Sequence, residues 1–250
     1  MNRPNDVCIT IDLEQDCPPF LATYRGMAEG SGPLLARLAA ERVPATFFAT
    51  GDVARRFPDV IRSIVAAGHE LGCHGDTHRR FDAMSADEAR AEIVAATAEL
   101  RRFYPVVSFR APNLRFPDEY VPLLEAQGYQ LDSSQAKYKS SWLFGRPRRW
   151  ELARVPASTT SSVLRLPRWL RSAILSRLES PVVLFVHPWE FVDFRASSLR
   201  LDCRFRTGAA ALACLEDNIR LFKRRGATFL RMIDLVGKPL DVPAALPAHA

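Results

Sequence analysis

Residues 7–14 read Val7-Cys8-Ile9-Thr10-Ile11-Asp12-Leu13-Glu14, an apolar, β-branched run that ends in two carboxylates. Its composition suits pleated, buried backbone and predicts a strand over Val7 to Ile11. After the Gly30-Ser31-Gly32-Pro33 break, Ser31 to Arg42 carries apolar residues at helical spacing, so a helix follows. The unit then repeats. Strands are expected at Ala45 to Ala49, His69 to Gly72, Val106 to Phe109, Tyr129 to Leu131, Val182 to Val186 and Ala227 to Leu230. Helices are expected at Phe57 to Ala67, Ser85 to Phe103, Asp118 to Gln127 and Gly208 to Arg225, the second opening on the capping box Ser85-Ala86-Asp87-Glu88. This alternation predicts parallel strands covered by helices, open or closed into a barrel.

The chain has 250 residues, 48% of them apolar, enough for one sizeable core. Lys and Arg outnumber Asp and Glu by 34 to 28, an excess that suits an anionic partner without requiring one. The basic residues form no groove-reading motif, so no nucleic-acid partner is expected. The N-terminus enters a strand at once, without the apolar core of a secretory signal, and no stretch approaches roughly 18 uninterrupted apolar residues. Cys8, Cys17, Cys73, Cys203 and Cys214 form an odd set without a CxxC pair. They are expected to be reduced and mostly buried, which fits a cytoplasmic location. Residues 133–180, rich in Ser, Pro, Trp and Arg, are too long for an ordinary connection and read as an insertion or lid. The Pro- and Ala-rich residues 237–250 are expected to be a loosely ordered tail.

Three segments carry the chemistry. Asp12 and Glu14 follow a buried strand, and in parallel α/β folds the C-terminal strand ends bear the reactive groups. His69-Glu70-Leu71-Gly72-Cys73-His74-Gly75-Asp76-Thr77-His78 runs a strand into His-x-x-x-His, a spacing that lets two imidazoles face one cation. His69, at the start of that strand, is read as structural. Pro181-Val182-Val183-Leu184-Phe185-Val186-His187-Pro188-Trp189-Glu190 delivers a third histidine at a strand end. Phe109-Arg110-Ala111-Pro112-Asn113 and Leu131-Asp132-Ser133-Ser134 each place a polar residue directly after a strand.

In order, TIDLE, HGDTH, RAPN, LDSS and LFVHPWE resemble the motifs of the polysaccharide deacetylase family, also described as NodB-homology carbohydrate esterases, from about residue 7 to residue 232. The Asp-x-Glu spacing in TIDLE and Gly75 after the first histidine look like the intracellular branch that includes peptidoglycan-deacetylase-like proteins. The resemblance implies a single-domain distorted (β/α) barrel over residues 5–236, with about seven parallel strands. It also implies an N-deacetylase holding a divalent cation, zinc or else cobalt, nickel or manganese. By motif position Glu14, His74 and His78 would be the metal ligands and Asp12 the general base, paired with Arg110. Asn113 would offer its backbone N–H to the oxyanion, and His187 would be the acid. Asp132 is the motif carboxylate expected to raise the His187 pKa, with Asp76 and Glu190 as other neighbours. Trp189 is expected either to wall the pocket or to belong to the core.

The implied substrate is an amino sugar, N-acetylated or N-formylated, on a glycan or a carrier. In 137–180, Lys137, Lys139, Arg146, Arg148, Arg149, Arg154, Arg165, Arg168, Arg171 and Arg177 interleave with Trp142, Trp150 and Trp169. That pattern fits peripheral contact with an anionic membrane or a lipid-linked sugar at the inner membrane face, or equally a solvated lid. Two other functions suit the same motifs: an allantoinase-like hydrolase of small cyclic amides, and a non-catalytic sugar binder.

Overall fold

The structure, a computed structural model, describes residues 5–139 and 150–237. Its centre is β1 (Asp6–Leu13), buried along its whole length. One side of β1 pairs with β2 (Ala45–Ala49), from Ile9 opposite Ala45 to Leu13 opposite Ala49. The other side pairs with β7 (Val182–Val186), from Val7 opposite Val182 to Ile11 opposite Val186. Beyond β2 lie β3 (Glu70–Cys73), β4 (Ser108–Phe109), β5 (Leu131–Asp132) and β6 (Ala153–Arg154), all parallel. A last short strand, β8 (Thr228–Phe229), meets the start of β1. Strands covered on both faces must be apolar throughout, which is why β1, β2 and β7 read as unbroken hydrophobic runs.

The sheet curls into a distorted (β/α) barrel. The edge strands β6 and β7 are drawn together by Ser158, whose N–H donates to the Val183 carbonyl at 2.8 Å while its hydroxyl accepts from the Val183 N–H at 2.9 Å. Around it pack α1 (Ser31–Glu41), α2 (Gly51–Arg56), α3 (Pro58–Ala66), α4 (Ala86–Leu100), α5 (Val121–Ala126), α6 (Arg168–Leu175), α7 (Leu201–Arg204) and α8 (Ala209–Arg224). The expected capping box forms at α4. Helix α2, too short to show periodicity, is started by the Thr50 hydroxyl, which accepts from Val53 N–H. Ile9, Ile11, Phe47, Leu71, Phe109 and Ile219 belong to one core cluster. Among the described residues no helix is long and apolar enough to cross a membrane.

Two sequence expectations change here. Cys17 and Cys203 are joined as a disulfide, so only Cys8, Cys73 and Cys214 are free and buried. The odd count hides one pair and three thiols. Within 133–180, residues 153–154 supply a barrel strand, and three of the described basic residues pair with carboxylates of the fold. Arg154 pairs with Asp132 and Asp118, Arg165 with Glu190, and Arg171 with Asp217. Trp150 packs against the core and Trp169 is 75% exposed. Arg146, Arg148, Arg149 and Trp142 lie outside the described residues, as does the tail from 238 onward.

Candidate active site

The parallel register brings the C-terminal ends of β1, β3, β4, β5 and β7 to one mouth of the barrel. A cavity of about 290 Å³ opens there, lined by Asp12, Glu14, His74, His78, Asn113 and His187 among others. Glu14 sits one residue past β1, and His74 one residue past β3. His78 is turned back towards both by the Gly75-Asp76-Thr77 loop, with Gly75 at φ +77° and His78 itself at φ +61°. That loop is held by Glu92 of α4, whose carboxylate accepts from the backbone N–H of Asp76 at 2.8 Å and of Thr77 at 2.9 Å.

One ligating atom from each of Glu14, His74 and His78 lies within 4.8 Å of the others. His78 Nε2 is 2.5 Å and His74 Nε2 3.3 Å from Glu14 Oε2. His74 Nδ1 meets the Arg110 carbonyl at 2.7 Å, so Nδ1 carries the proton and Nε2 presents its lone pair to the cluster. Two imidazoles and a carboxylate, all buried or nearly so and one ring fixed by an outer hydrogen bond, fit a zinc-type ion with a coordination position left open. Burial pushes the Glu14 carboxyl up, but the charges of His78 and His187 and the histidine hydrogen bonds outweigh it and hold Glu14 well below the usual range. Burial pushes His78 down, yet Glu14 raises it above the ordinary histidine value.

Asp12 is buried beside this cluster. Arg110, fully buried, donates from Nη1 to Asp12 Oδ1 at 2.8 Å and to Thr10 Oγ1 at 2.7 Å, and from Nη2 to Ser133 Oγ at 2.9 Å. Its guanidinium lies 4.3 Å from the centre of the Phe48 ring. Phe48 reaches that place because residue 72 is glycine, where a Cβ would come within 2.6 Å of the ring. The expected Arg110 and Asp12 pairing is therefore present, and it carries a cation–π floor that the motif does not reveal.

His187 follows β7 and points Nε2 into the cavity, 3.6 Å from Glu14 Oε1. Its carboxylate partner is not Asp132. Asp132 is engaged by Arg154, at 2.8 Å, and by Ser134, and its pKa is raised by burial. His187 Nδ1 instead donates to Glu190 Oε1 at 2.8 Å, as does the His187 backbone N–H at 3.1 Å. Pro188 opens a single 3₁₀ turn that carries the residue three positions on back to the histidine. The His-x-x-Glu spacing, the same as in a capping box, is the signal that identifies the partner. Burial would lower the His187 pKa, but Glu14 and then Glu190 raise it to about 9. Trp189 lines the cavity and stacks on the His187 ring, with centroids 5.1 Å apart and planes 21° apart. Gly26 lets the chain pass beneath it, since a Cβ there would lie 2.5 Å from the Trp189 nitrogen.

Asn113 has left-handed backbone, φ +58°, which asparagine tolerates better than most residues. Asp76 pairs with Arg55 at 2.9 Å. His69 accepts from Ala45 N–H at 3.2 Å and packs on Phe47, a structural place.

The parallel barrel thus gathers an Asp, a Glu and three histidines at its strand ends, the face where this class of fold carries its functional groups. Comparison names the family: residues 5–131 match the polysaccharide deacetylase model, and the chain belongs to that family. A chitooligosaccharide deacetylase of Sinorhizobium fredii is 38% identical over 80 residues, 32% of this chain and 36% of that protein. Such matches span about a third of the curated relatives' own length. Among solved structures, a Mycobacterium smegmatis protein named as a candidate polysaccharide deacetylase aligns with TM-score 0.72 at 20% identity, covering 95% of this chain and 90% of that one. A CE4-family pseudoenzyme from Bacillus anthracis aligns with TM-score 0.66 at 18% identity, covering 97% of this chain and 69% of that one. Both share the fold.

Proposed function

We propose that this chain is a metal-dependent hydrolase that removes an N-acyl group, acetyl or formyl, from an amino sugar on an oligosaccharide or carrier-linked substrate. The observation that carries the reading is the convergence, in one cavity, of Glu14, His74 and His78 with Arg110-held Asp12 and Glu190-held His187. Family relatives named as chitooligosaccharide and peptidoglycan deacetylases support the substrate class.

Glu14, His74 and His78 would hold the ion, with zinc the best match to the donor set. When bound, it supplies Lewis acidity to the amide carbonyl and to the attacking water. Asp12, with Oδ1 engaged by Arg110, takes the water proton on its other oxygen as the new C–O bond forms. Arg110 keeps that carboxylate aimed. The backbone N–H of Asn113 would donate to the oxyanion. As the C–N bond breaks, His187 Nε2 protonates the leaving amine, so the products are a free amino sugar and a carboxylate. The Glu190 carboxylate, hydrogen-bonded to Nδ1, favours the cationic ring for that transfer.

The test is release of acetate from tri-N-acetylchitotriose and of formate from an N-formylated analogue. Activity should vanish with chelator and return with zinc or cobalt. Full turnover in chelator with no detectable metal would overturn the metal role. Bound metal without turnover on either sugar would place the chain with non-catalytic members, and ring-amide hydrolysis instead would favour the allantoinase-like alternative.

The expected cytoplasmic location loses the support of the thiol count, because a disulfide persists where thiols are oxidised. For contact with an anionic membrane or lipid-linked sugar, the described part of 137–180 offers exposed Trp169 beside Arg168. Flotation with anionic and neutral vesicles tests it, and equal recovery with both would dismiss the contact.

A further inference from the structure

We infer that Arg165 is a positioning residue for the proposed deacylation, clamping Glu190 so that the His187 ring keeps Nε2 turned into the cavity. The inference rests on the reading of His187 as the acid and adds a residue that no motif of the chain contains. Arg165 is 2% exposed and Glu190 1% exposed, with Arg165 Nε 2.9 Å from Glu190 Oε2. The other carboxylate oxygen, Oε1, takes both the Nδ1–H and the backbone N–H of His187. One oxygen faces the arginine across an ion pair and the other accepts from the histidine, so a swing of the carboxylate would separate the charges and break the histidine hydrogen bonds.

The remaining arginine nitrogens are also fixed. Nη1 donates to the Phe205 carbonyl at 2.6 Å and Nη2 to the Asp202 carbonyl at 2.7 Å. These carbonyls belong to the turn around α7, and Asp202 and Cys203 line the cavity. The same guanidinium lies 5.9 Å from the Trp189 ring centre, and Trp189 stacks on His187. Arg165 thus grips three things at once: the carboxylate behind the acid, the ring beside it, and a wall of the pocket. Burying an arginine and a glutamate together carries a desolvation penalty that a plain apolar contact avoids, so fold stability is a poor reason for the pair. Orientation of a ring that must present one nitrogen to the leaving group is a better one, since small misplacements at a reacting centre slow chemistry greatly.

The experiment compares two probes on the zinc-loaded protein. Tri-N-acetylchitotriose needs a proton on its leaving amine, whereas 4-nitrophenyl acetate departs as a stable phenolate without one. Arg165→Met should retain zinc, lower kcat on the sugar by roughly 100-fold with little change in KM, and leave the ester within about threefold. Arg165→Lys should recover part of the loss. Equal losses on both probes, or none on the sugar, would overturn the inference. Should Arg165→Met fail to fold, Glu190→Gln keeps the shape, removes the clamped charge and is read the same way. If the wild type hydrolyses neither probe, the functional reading falls. The clamp is then decided by ¹H–¹⁵N correlation of the His187 ring, where the hydrogen-bonded Nδ1–H signal of the wild type should shift towards a weaker bond in Arg165→Met; an unchanged ring signal would overturn it.

Discussion

Arg110 Nη1 lies 2.8 Å from Asp12 Oδ1, and the two side chains are 0% and 5% exposed. So little access to water leaves each charge dependent on the other for compensation. Arg110→Met strands a buried charge and should lower stability by about 3–5 kcal/mol in urea denaturation. The double variant with Asp12→Asn, which removes the stranded charge, should regain much of it while staying inactive. Wild-type stability in Arg110→Met would show that the pair is not closed to solvent.

His187 touches Glu14 but lies outside the trio that could ligate an ion. His187→Ala should therefore keep its zinc stoichiometry in equilibrium dialysis while kcat on an N-acetylated sugar drops about 10²–10⁴-fold. Parallel loss of zinc would move His187 into the ligand set.

The raised pKa of His78 makes metal binding proton-linked. Its ring gains a proton from solution as pH falls, and only the neutral ring can ligate. Glu14, held well below its usual value, stays ionised and does not compete. Zinc affinity should weaken as pH is lowered through the His78 titration, and calorimetry in buffers of different ionisation enthalpy should record proton release. Affinity flat with pH would contradict the coupling.

Glu92 carries the turn that aims His78, accepting from Asp76 and Thr77 N–H. Glu92→Ala should weaken zinc binding roughly 10–100-fold, the usual effect of losing an outer support of a ligand. Unaltered affinity would mean that the turn is rigid without it.

The Cys17–Cys203 link makes a counting prediction. Unfolded without reductant, the protein should expose three titratable thiols, those of Cys8, Cys73 and Cys214, and all five after reduction. Five at the outset would remove the bridge.

Much of the candidate site was legible in the residue order because each of its residues closes an apolar run: Asp12 and Glu14 after Ile11, His74 after Cys73, Arg110 after Phe109, His187 after Val186. A strand's period and its polar end survive in one dimension. What did not survive is pairing across the fold. Asp132 matched a motif position, yet Arg154 from the neighbouring strand claims its carboxylate. Glu190 stood three residues from His187, and only the turn that Pro188 begins shows which carboxylate returns to the ring. Arg165 lies in a stretch without periodicity, and its carbonyl partners are 37 and 40 residues away. Cys17 and Cys203 are 186 residues apart, a separation at which spacing carries no information.

Ser158 fastens the segment after β6 onto β7 through two bonds to the single residue Val183. The candidate site residues follow β1, β3, β4 and β7, while parts of the cavity wall, Ser161, Ser162 and Arg200, come from the connections on either side of β7. Descendants of this chain can therefore reshape that wall by rewriting those connections, leaving the strand-end residues as inherited.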